Sequence, residues 1–296
     1  FPLNTSLAEV KNDWDAVFRQ LSRQRWNTRL ALRLADIWQK LTAPVSNVLG
    51  ATQKLVVSPI GTLWQLPFAA LQLDDQYVGE LFELVLAPSF NIWQLCQSRG
   101  PEHQNNLLVG ETGAPNDPIY LPEVAGEIEG LSAFFSDSRV LLNETATREN
   151  FLQQLSGNRL IHIAGHIEYD AQRPVMSGIR LHNNRYVRAS DFYLQPGILG
   201  GADVVLSGCE SGKVSSNGTE IVGLTSSLVA AGARSVLVTL WPVDDAATAY
   251  FMKIYYQYLL EVDSPSKALQ LAQADMRQSA DWHHPIYWAA FTSLFR

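Results

Sequence analysis

Arg159-Leu160-Ile161-His162-Ile163-Ala164-Gly165-His166 and Asp203-Val204-Val205-Leu206-Ser207-Gly208-Cys209-Glu210 are the two stretches whose reading decides the fold. Each is a short, mostly solid apolar run that ends at a glycine, and a chemically reactive side chain follows that glycine. Runs that are solid and do not alternate mark strands buried on both faces, as in parallel sheets. The same texture recurs at Leu55–Val57, Glu83–Ala87, Leu107–Val109, Arg139–Leu142 and Ser235–Leu240. Helical patterns lie between them. Glu123–Phe135 is one, and Arg148–Leu155 is another, with Thr147 as its N-cap. Ile221–Ala231 stops at Gly232, a natural helix end, and Ala246–Leu260 is rich in aromatics. Ser264-Pro265 opens the last long helix with cap and first-turn residues in the right order. Ile179–Val187 reads as a hairpin around Asn183-Asn184. This βα alternation predicts an α/β fold, an open and mostly parallel β-sheet flanked by helices on both faces. Reactive groups in such sheets collect on the loops at the carboxyl ends of the strands.

Working outward, residues from Leu7 to Leu41 read as helix, because Val10, Trp14, Val17, Phe18 and Leu21, then Leu30, Leu34, Ile37 and Leu41, recur at helical spacing. Pro44 ends the pattern. The expected division is an N-terminal helical extension over 1–50 and the α/β domain over 51–296. The first residue is Phe1 and not Met, which reads as a fragment of a longer protein. The 296 residues carry 22 basic and 29 acidic side chains, a net charge of -7. That balance disfavours a nucleic-acid or anionic-membrane surface, since both need a basic face. The start, Phe1-Pro2-Leu3-Asn4, does not read as a signal peptide, and no apolar run reaches the length needed to span a bilayer. Two cysteines, Cys96 and Cys209, do not make a disulfide framework, and a cytoplasmic location is expected.

If the two quoted strands are neighbours, His166 and Cys209 emerge side by side on one rim. A free thiol has a pKa of about 8.5 and needs a base to become a nucleophile near neutral pH. A histidine within reach is the usual solution. Gly165 and Gly208 permit sharp turns and close approach of a substrate backbone. The backbone N–H groups of Cys209 and Ile167 are the natural oxyanion-hole donors. Taken singly, Cys209 reads as a small buried residue and His166 as a loop histidine; together, at consecutive strand ends, they read as a Cys/His dyad. His162 and His166 are four apart, as zinc ligands on a helix would be, but the β-rich lead-in and Gly165 make this a strand and His162 a core histidine. Cys96 lies in a helical context and is expected in the core. Gly110-Glu111-Thr112-Gly113 lacks the Gly-Lys-Ser/Thr ending of a phosphate loop. The centre of Gly208–Gly212 is Glu210, so it is no nucleophile elbow. No metal-ligand cluster and no cofactor motif is present.

The segment His162–His166 resembles the histidine strand of CHAT domains, caspase-like domains often found beside TPR repeats. Val205–Gly212 resembles their cysteine strand. Gly223-Leu224, Ala230–Val236 and Leu240–Thr248 resemble their most distinctive block. Leu66–Leu71, Ala87–Ser89, Thr147–Asn150 and His284–Phe291 also look like the family, so the likeness runs in order from Lys54 to Phe291. It implies a caspase-like sheet and a cysteine endopeptidase in which the Cys attacks the scissile carbonyl and the His serves as acid and base. Relatives usually carry Gly directly after the catalytic His, whereas this chain has Ile167, a β-branched residue that narrows the site.

In separases, which belong to the same wider group, a similar Trp-containing segment places an Asp in the S1 pocket. The resemblance therefore assigns Trp241, Asp244 and Asp245 to substrate binding and implies a basic P1 residue, with Asp245 the better match by position. The alternative for Asp244 is a cap on the helix that starts at Ala246. Glu220 resembles an acidic position near the cleft, with a solvated charge as the alternative. Gly212–Glu220 reads as a polar gating loop, and Lys213 in it is a candidate self-cleavage point. The implied partners are a protein or peptide substrate and an upstream sensor or regulatory domain, TPR among them. The competing reading is a catalytically silent caspase-like scaffold that works by protein–protein interaction.

Overall fold

Two of the strands with solid apolar sequence are covered on both sides: every position of Asp203–Ser207 and of Ser235–Thr239 is buried, whereas Lys54–Val57 and Ser138–Leu142 expose Val56 and Val140. The structure is a computed structural model and describes residues 5–50, 52–170, 172–208 and 223–296. Its strands are β1 Lys54–Val57, β2 Gln72–Leu73, β3 Gln76–Tyr77, β4 Glu83–Leu86, β5 Asn105–Gly110, β6 Ser138–Leu142, β7 Asn158–Ala164, β8 Ile167–Glu168, β9 Gly178–Leu181, β10 Arg185–Arg188, β11 Asp203–Ser207, β12 Ser235–Thr239 and β13 Phe291–Leu294. Its helices are α1 Leu7–Leu21, α2 Thr28–Thr42, α3 Ser46–Leu49, α4 Val78–Leu81, α5 Phe90–Ser98, α6 Glu123–Ser132, α7 Arg148–Gln154, α8 Ala189–Tyr193, α9 Leu224–Ala230, α10 Asp245–Val262, α11 Pro265–Gln278 and α12 Pro285–Trp288.

Eight strands form the main sheet in the order β1-β4-β13-β12-β11-β7-β5-β6. All its neighbours are parallel except β12 and β13, which are antiparallel. The sheet is thus two blocks of opposite sense. The carboxyl ends of β5, β6, β7, β11 and β12 share one edge, and those of β1, β4 and β13 lie on the other. Only the first edge carries His166. The reversal was not expected from the sequence, because β13 (Phe291-Thr292-Ser293-Leu294) is half polar and lacks a strand's apolar run. A small antiparallel sheet, β10-β9-β8, continues from the end of β7. Its β9–β10 hairpin turns at Asn183 and Asn184, both with positive φ, as the Asn-Asn pair predicts.

The N-terminal helical stretch is two helices and not one. Gln24 takes a positive φ of 53°. Asn27 then caps α2, its side chain accepting the Leu30 N–H at 3.1 Å. The chain reverses, and α1 packs against α2. Val10, Trp14, Val17 and Leu21 of α1 and Leu30, Leu34, Ile37 and Trp38 of α2 are buried in the same hydrophobic cluster as the sheet. Trp14 and Phe18 contact the ring of Trp241, centroid to centroid, at 6.0 and 5.3 Å. No helix among the described residues is long and apolar enough to cross a membrane.

Candidate active site

β7 and β11 are direct parallel neighbours, and Ser207 lies opposite Ala164 at their carboxyl ends. The pairing runs on past the strands, with the Gly165 N–H donating to the Ser207 carbonyl at 3.2 Å. Gly165 has a φ of +146°, and a Cβ there would lie 3.0 Å from the Glu111 carbonyl oxygen. A Cβ on Gly208 would lie 2.2 Å from the Gly165 carbonyl oxygen. The ends of β7 and β11 therefore meet backbone to backbone; a side chain on Gly208 would part them, and one on Gly165 would press on Glu111 at the end of β5. Cys209 follows Gly208 directly in the chain and lies outside the described residues, as do Glu220 and the rest of the 209–222 segment, Lys213 included.

His166 is partly exposed on this rim, and its Nε2 lies 2.5 Å from the Ile119 carbonyl oxygen. A carbonyl can only accept, so Nε2 carries the proton in the neutral ring and Nδ1 holds the free lone pair. Ile119 belongs to a turn before α6 that Asp117 organises. Asp117 Oδ1 accepts the Ile119 N–H at 3.2 Å, and its carbonyl accepts the Tyr120 N–H at 3.0 Å. The Asp117 carboxyl is held below its usual range by that N–H first, then by Arg180, with the charge of His166 adding to it. Sequence reasoning missed Ile119, since a backbone carbonyl has no residue signature, and nothing local marks Asp117.

Ile167, next to the histidine, is 7% exposed and lies opposite Ile179. The Arg180 N–H donates to the His166 carbonyl at 2.9 Å, so Ile167 and Ile179 form a pair without mutual hydrogen bonds. The Ile167 N–H points away from β9. Its backbone is strand backbone, where a β-branched residue is at ease. Its side chain lies against Gly208, whose virtual Cβ would be 3.1 Å from Ile167 Cγ1 and Cδ1.

Beside Gly208 is a recess of about 70 Å³ lined by Leu121, Val124, Ser207, Thr239, Val243, Asp245 and Thr248. Asp245 is its only ionisable lining group among the described residues. It is partly buried, and its Oδ2 accepts the Glu123 N–H at 2.9 Å. Burial pushes the Asp245 carboxyl up; the Glu123 hydrogen bond opposes this, and the charges of Glu127, Glu123 and Asp244 add to the rise. Asp244 is exposed and caps α10, Oδ1 accepting the Ala247 N–H at 3.1 Å. Trp241 is buried, donates its indole N–H to the Ile286 carbonyl at 2.9 Å and packs on α1, so its ring does not line the recess.

Cys96 and His162, read from sequence as core residues, sit in the core. Cys96 is fully buried in α5, and burial pushes its thiol up while Arg99 pulls it down. His162 is fully buried on β7. Its Nδ1 is 2.8 Å from the Tyr256 hydroxyl, and its Nε2 is 2.8 Å from Glu127 Oε1 at an angle outside the hydrogen-bonding range.

The CHAT domain profile matches residues 32–296, a span that takes in α2 from Leu32 onward and the whole sheet. The chain belongs to the CHAT domain family. Among curated proteins it is 25% identical to tetratricopeptide repeat protein 28 of Mus musculus over 341 residues, and 25% identical to the Homo sapiens protein of that name over 319 residues. These alignments cover 92% and 87% of this chain but only 13% of either relative. Among solved structures, the Saccharomyces cerevisiae separase–securin complex matches with a TM-score of 0.59 and 15% identity, over 99% of this chain and 23% of that one. The Arg-specific cysteine proteinase gingipain R matches with a TM-score of 0.57 and 9% identity, over 88% and 66% of the two chains. At such identities the likeness is one of fold, and that fold is the caspase-like sheet of the cysteine proteases.

Proposed function

We propose that this CHAT domain is a cysteine endopeptidase in which Cys209 is the nucleophile and His166 the general base. The observation that carries the reading is the junction of the two strand ends. Gly165 and Gly208 touch through their backbones, and each is followed by one member of the pair. The hydrogen bond from Nε2 to Ile119 leaves Nδ1 as the basic nitrogen. The Cys209 thiol proton passes to Nδ1, and the thiolate attacks the scissile carbonyl carbon. A C–S bond forms, and negative charge develops on oxygen. The Ile167 and Cys209 N–H groups receive that charge. His166 then returns its proton to the departing amine as the C–N bond breaks. Water, deprotonated by the same nitrogen, hydrolyses the thioester and regenerates the thiol.

Asp245 supports a basic P1 residue. Among the described residues it is the one charged group lining the recess beside Gly208, and a guanidinium there gains a charge-assisted contact. Asp244, spent on capping α10, adds background charge only. An upstream regulatory region, of the repeat type in the relatives' names, is part of the proposal, as is a reducing, cytoplasmic setting that keeps Cys209 a thiol.

The test incubates wild-type, Cys209→Ala and His166→Ala chains with a peptide library and reads cleavage sites by mass spectrometry. Cleavage by wild type alone, after Arg or Lys, is the expected result. Equal cleavage by the variants overturns the dyad, and cleavage after other residues removes Asp245 from S1. Silence in all three chains, repeated with the full-length protein, overturns the enzyme and leaves an interaction scaffold.

A further inference from the structure

We infer that Arg180 and Asp117 are positioning residues that hold His166 in its reactive orientation, a role that rests on the endopeptidase reading above. Four hydrogen bonds close a ring through these residues. The Arg180 backbone N–H donates to the His166 carbonyl at 2.9 Å. Its Nη2 donates to Asp117 Oδ2 at 3.1 Å. Asp117 Oδ1 accepts the Ile119 N–H at 3.2 Å. The Ile119 carbonyl, in turn, accepts from His166 Nε2 at 2.5 Å. One arginine thus grips the histidine twice, directly at its main chain and through Asp117 and Ile119 at the tip of its ring.

The ring is anchored on the hairpin side. Arg180 Nε donates to Asn184 Oδ1 at 2.7 Å, which fixes the plane of the guanidinium. Arg180 is only 9% exposed, so its side chain has little freedom to turn elsewhere. The Ile119 carbonyl lies on an irregular segment, with no helix or strand to aim it. Its own peptide unit is tied by the Tyr120 N–H to the Asp117 carbonyl at 3.0 Å, and the Asp117 side chain fixes the preceding unit through the Ile119 N–H, so the two contacts together set the direction of the carbonyl. A plain structural ion pair between the turn and the hairpin would need only the Arg180–Asp117 contact. The added bonds at both ends of His166 are what tie the pair to the chemistry.

The experiment uses Asp117→Ala, Asp117→Asn and Arg180→Gln in the full chain. Misplacing a reacting group by about 1 Å costs on the order of 100-fold in rate. We expect kcat to fall about 10- to 100-fold in Asp117→Ala and Arg180→Gln, with KM within about threefold. Asp117→Asn keeps an acceptor for the Ile119 N–H and recovers part of the loss. The Asp117→Ala/Arg180→Gln double variant loses no more than the worse single, since both act through one ring. The readout that needs no turnover is NMR on 15N-histidine-labelled protein. Wild type shows a slowly exchanging His166 Nε2–H resonance, identified by its absence from His166→Ala, and Asp117→Ala loses it. Wild-type kcat with that resonance retained in Asp117→Ala, and only the melting temperature lowered, overturns the inference. If wild type cleaves nothing, the endopeptidase reading fails, and loss or retention of the resonance in Asp117→Ala still decides whether the ring holds the histidine. Should Arg180→Gln not fold, the two Asp117 variants, on a more exposed side chain, carry the test alone.

Discussion

His162 and His166 stand four residues apart on one run of chain and have opposite surroundings. His162 is fully buried, with one ring nitrogen against the Tyr256 hydroxyl and the other against the Glu127 carboxylate. His166 lies beyond Gly165 on the rim, with Nε2 given to a backbone carbonyl. The first histidine is consumed by the contact between β7, α6 and α10. The second is half-committed, which fixes its tautomer and leaves one nitrogen for chemistry. Imidazole chemistry is the same in both. Strand geometry decides the difference, since β7 ends at Ala164 and the glycine turn lifts His166 out of the sheet.

The sharpest way to break this contrast is to remove each histidine in turn. His166→Ala is expected to lower peptide cleavage by about 10²–10⁴-fold while its thermal melt stays close to wild type. His162→Leu should do the reverse. It strands a buried carboxylate and a buried hydroxyl, at a cost of about 3–5 kcal/mol in urea unfolding. The double variant His162→Leu/Glu127→Leu should recover much of that loss, because replacing a buried polar pair by apolar groups is nearly neutral. A His162→Leu protein as stable as wild type would show that the buried contact does not hold the helices to the sheet.

A smaller effect comes from the glycine side of the junction. Gly208→Ala places a methyl group 2.2 Å from the Gly165 carbonyl oxygen and against Ile167. The strand ends must part, at about 1–3 kcal/mol, and cleavage should fall with stability. Unchanged activity in Gly208→Ala would mean that close approach of the two strand ends is not required.

The smallest expected effect is on stability at Asp245. Its carboxyl is pushed up by burial, so the folded value exceeds the unfolded one. The native state is favoured below the unfolded value, and that advantage is lost as pH rises through the folded value. At neutral pH the ionised carboxylate therefore carries a penalty that Asp245→Asn removes, while Asn keeps an acceptor for the Glu123 N–H. With allowance for its partial exposure, the melting temperature should rise by about 1 °C at pH 7. The two proteins should converge in acid, below the ordinary Asp range. The same variant should lose its preference for Arg at P1, a stability–function exchange common at binding sites. Melting curves at both pH values and the peptide library check the two halves separately.

The sequence by itself determined the layout of the sheet's core. The solid apolar runs became β1, β4, β5, β6, β7, β11 and β12, and the reason is plainest at β11 and β12, where neighbours on both faces take every position out of water. Ser264-Pro265 opens α11, and Asn183-Asn184 turns the β9–β10 hairpin, because caps and turns depend on a few residues in local contact. The placing of His166 at a strand end, one residue beyond a glycine, was legible for the same reason. Tertiary structure alone decided the rest. The break between α1 and α2 turns on one left-handed residue, Gln24, in the polar stretch around Arg23 to Arg29, beyond which Leu30, Leu34, Ile37 and Leu41 resume the helical spacing as if one helix continued. β13 is a strand because β12 and β4 leave a slot between them, whatever its own residues prefer. Asp117 and Arg180 are 63 residues apart in sequence, and Ile119 acts through its main chain, so neither leaves a mark that composition or periodicity can carry. Which of two aspartates lines the recess was likewise fixed by the start of α10, where Asp244 turns outward to cap and Asp245 turns in.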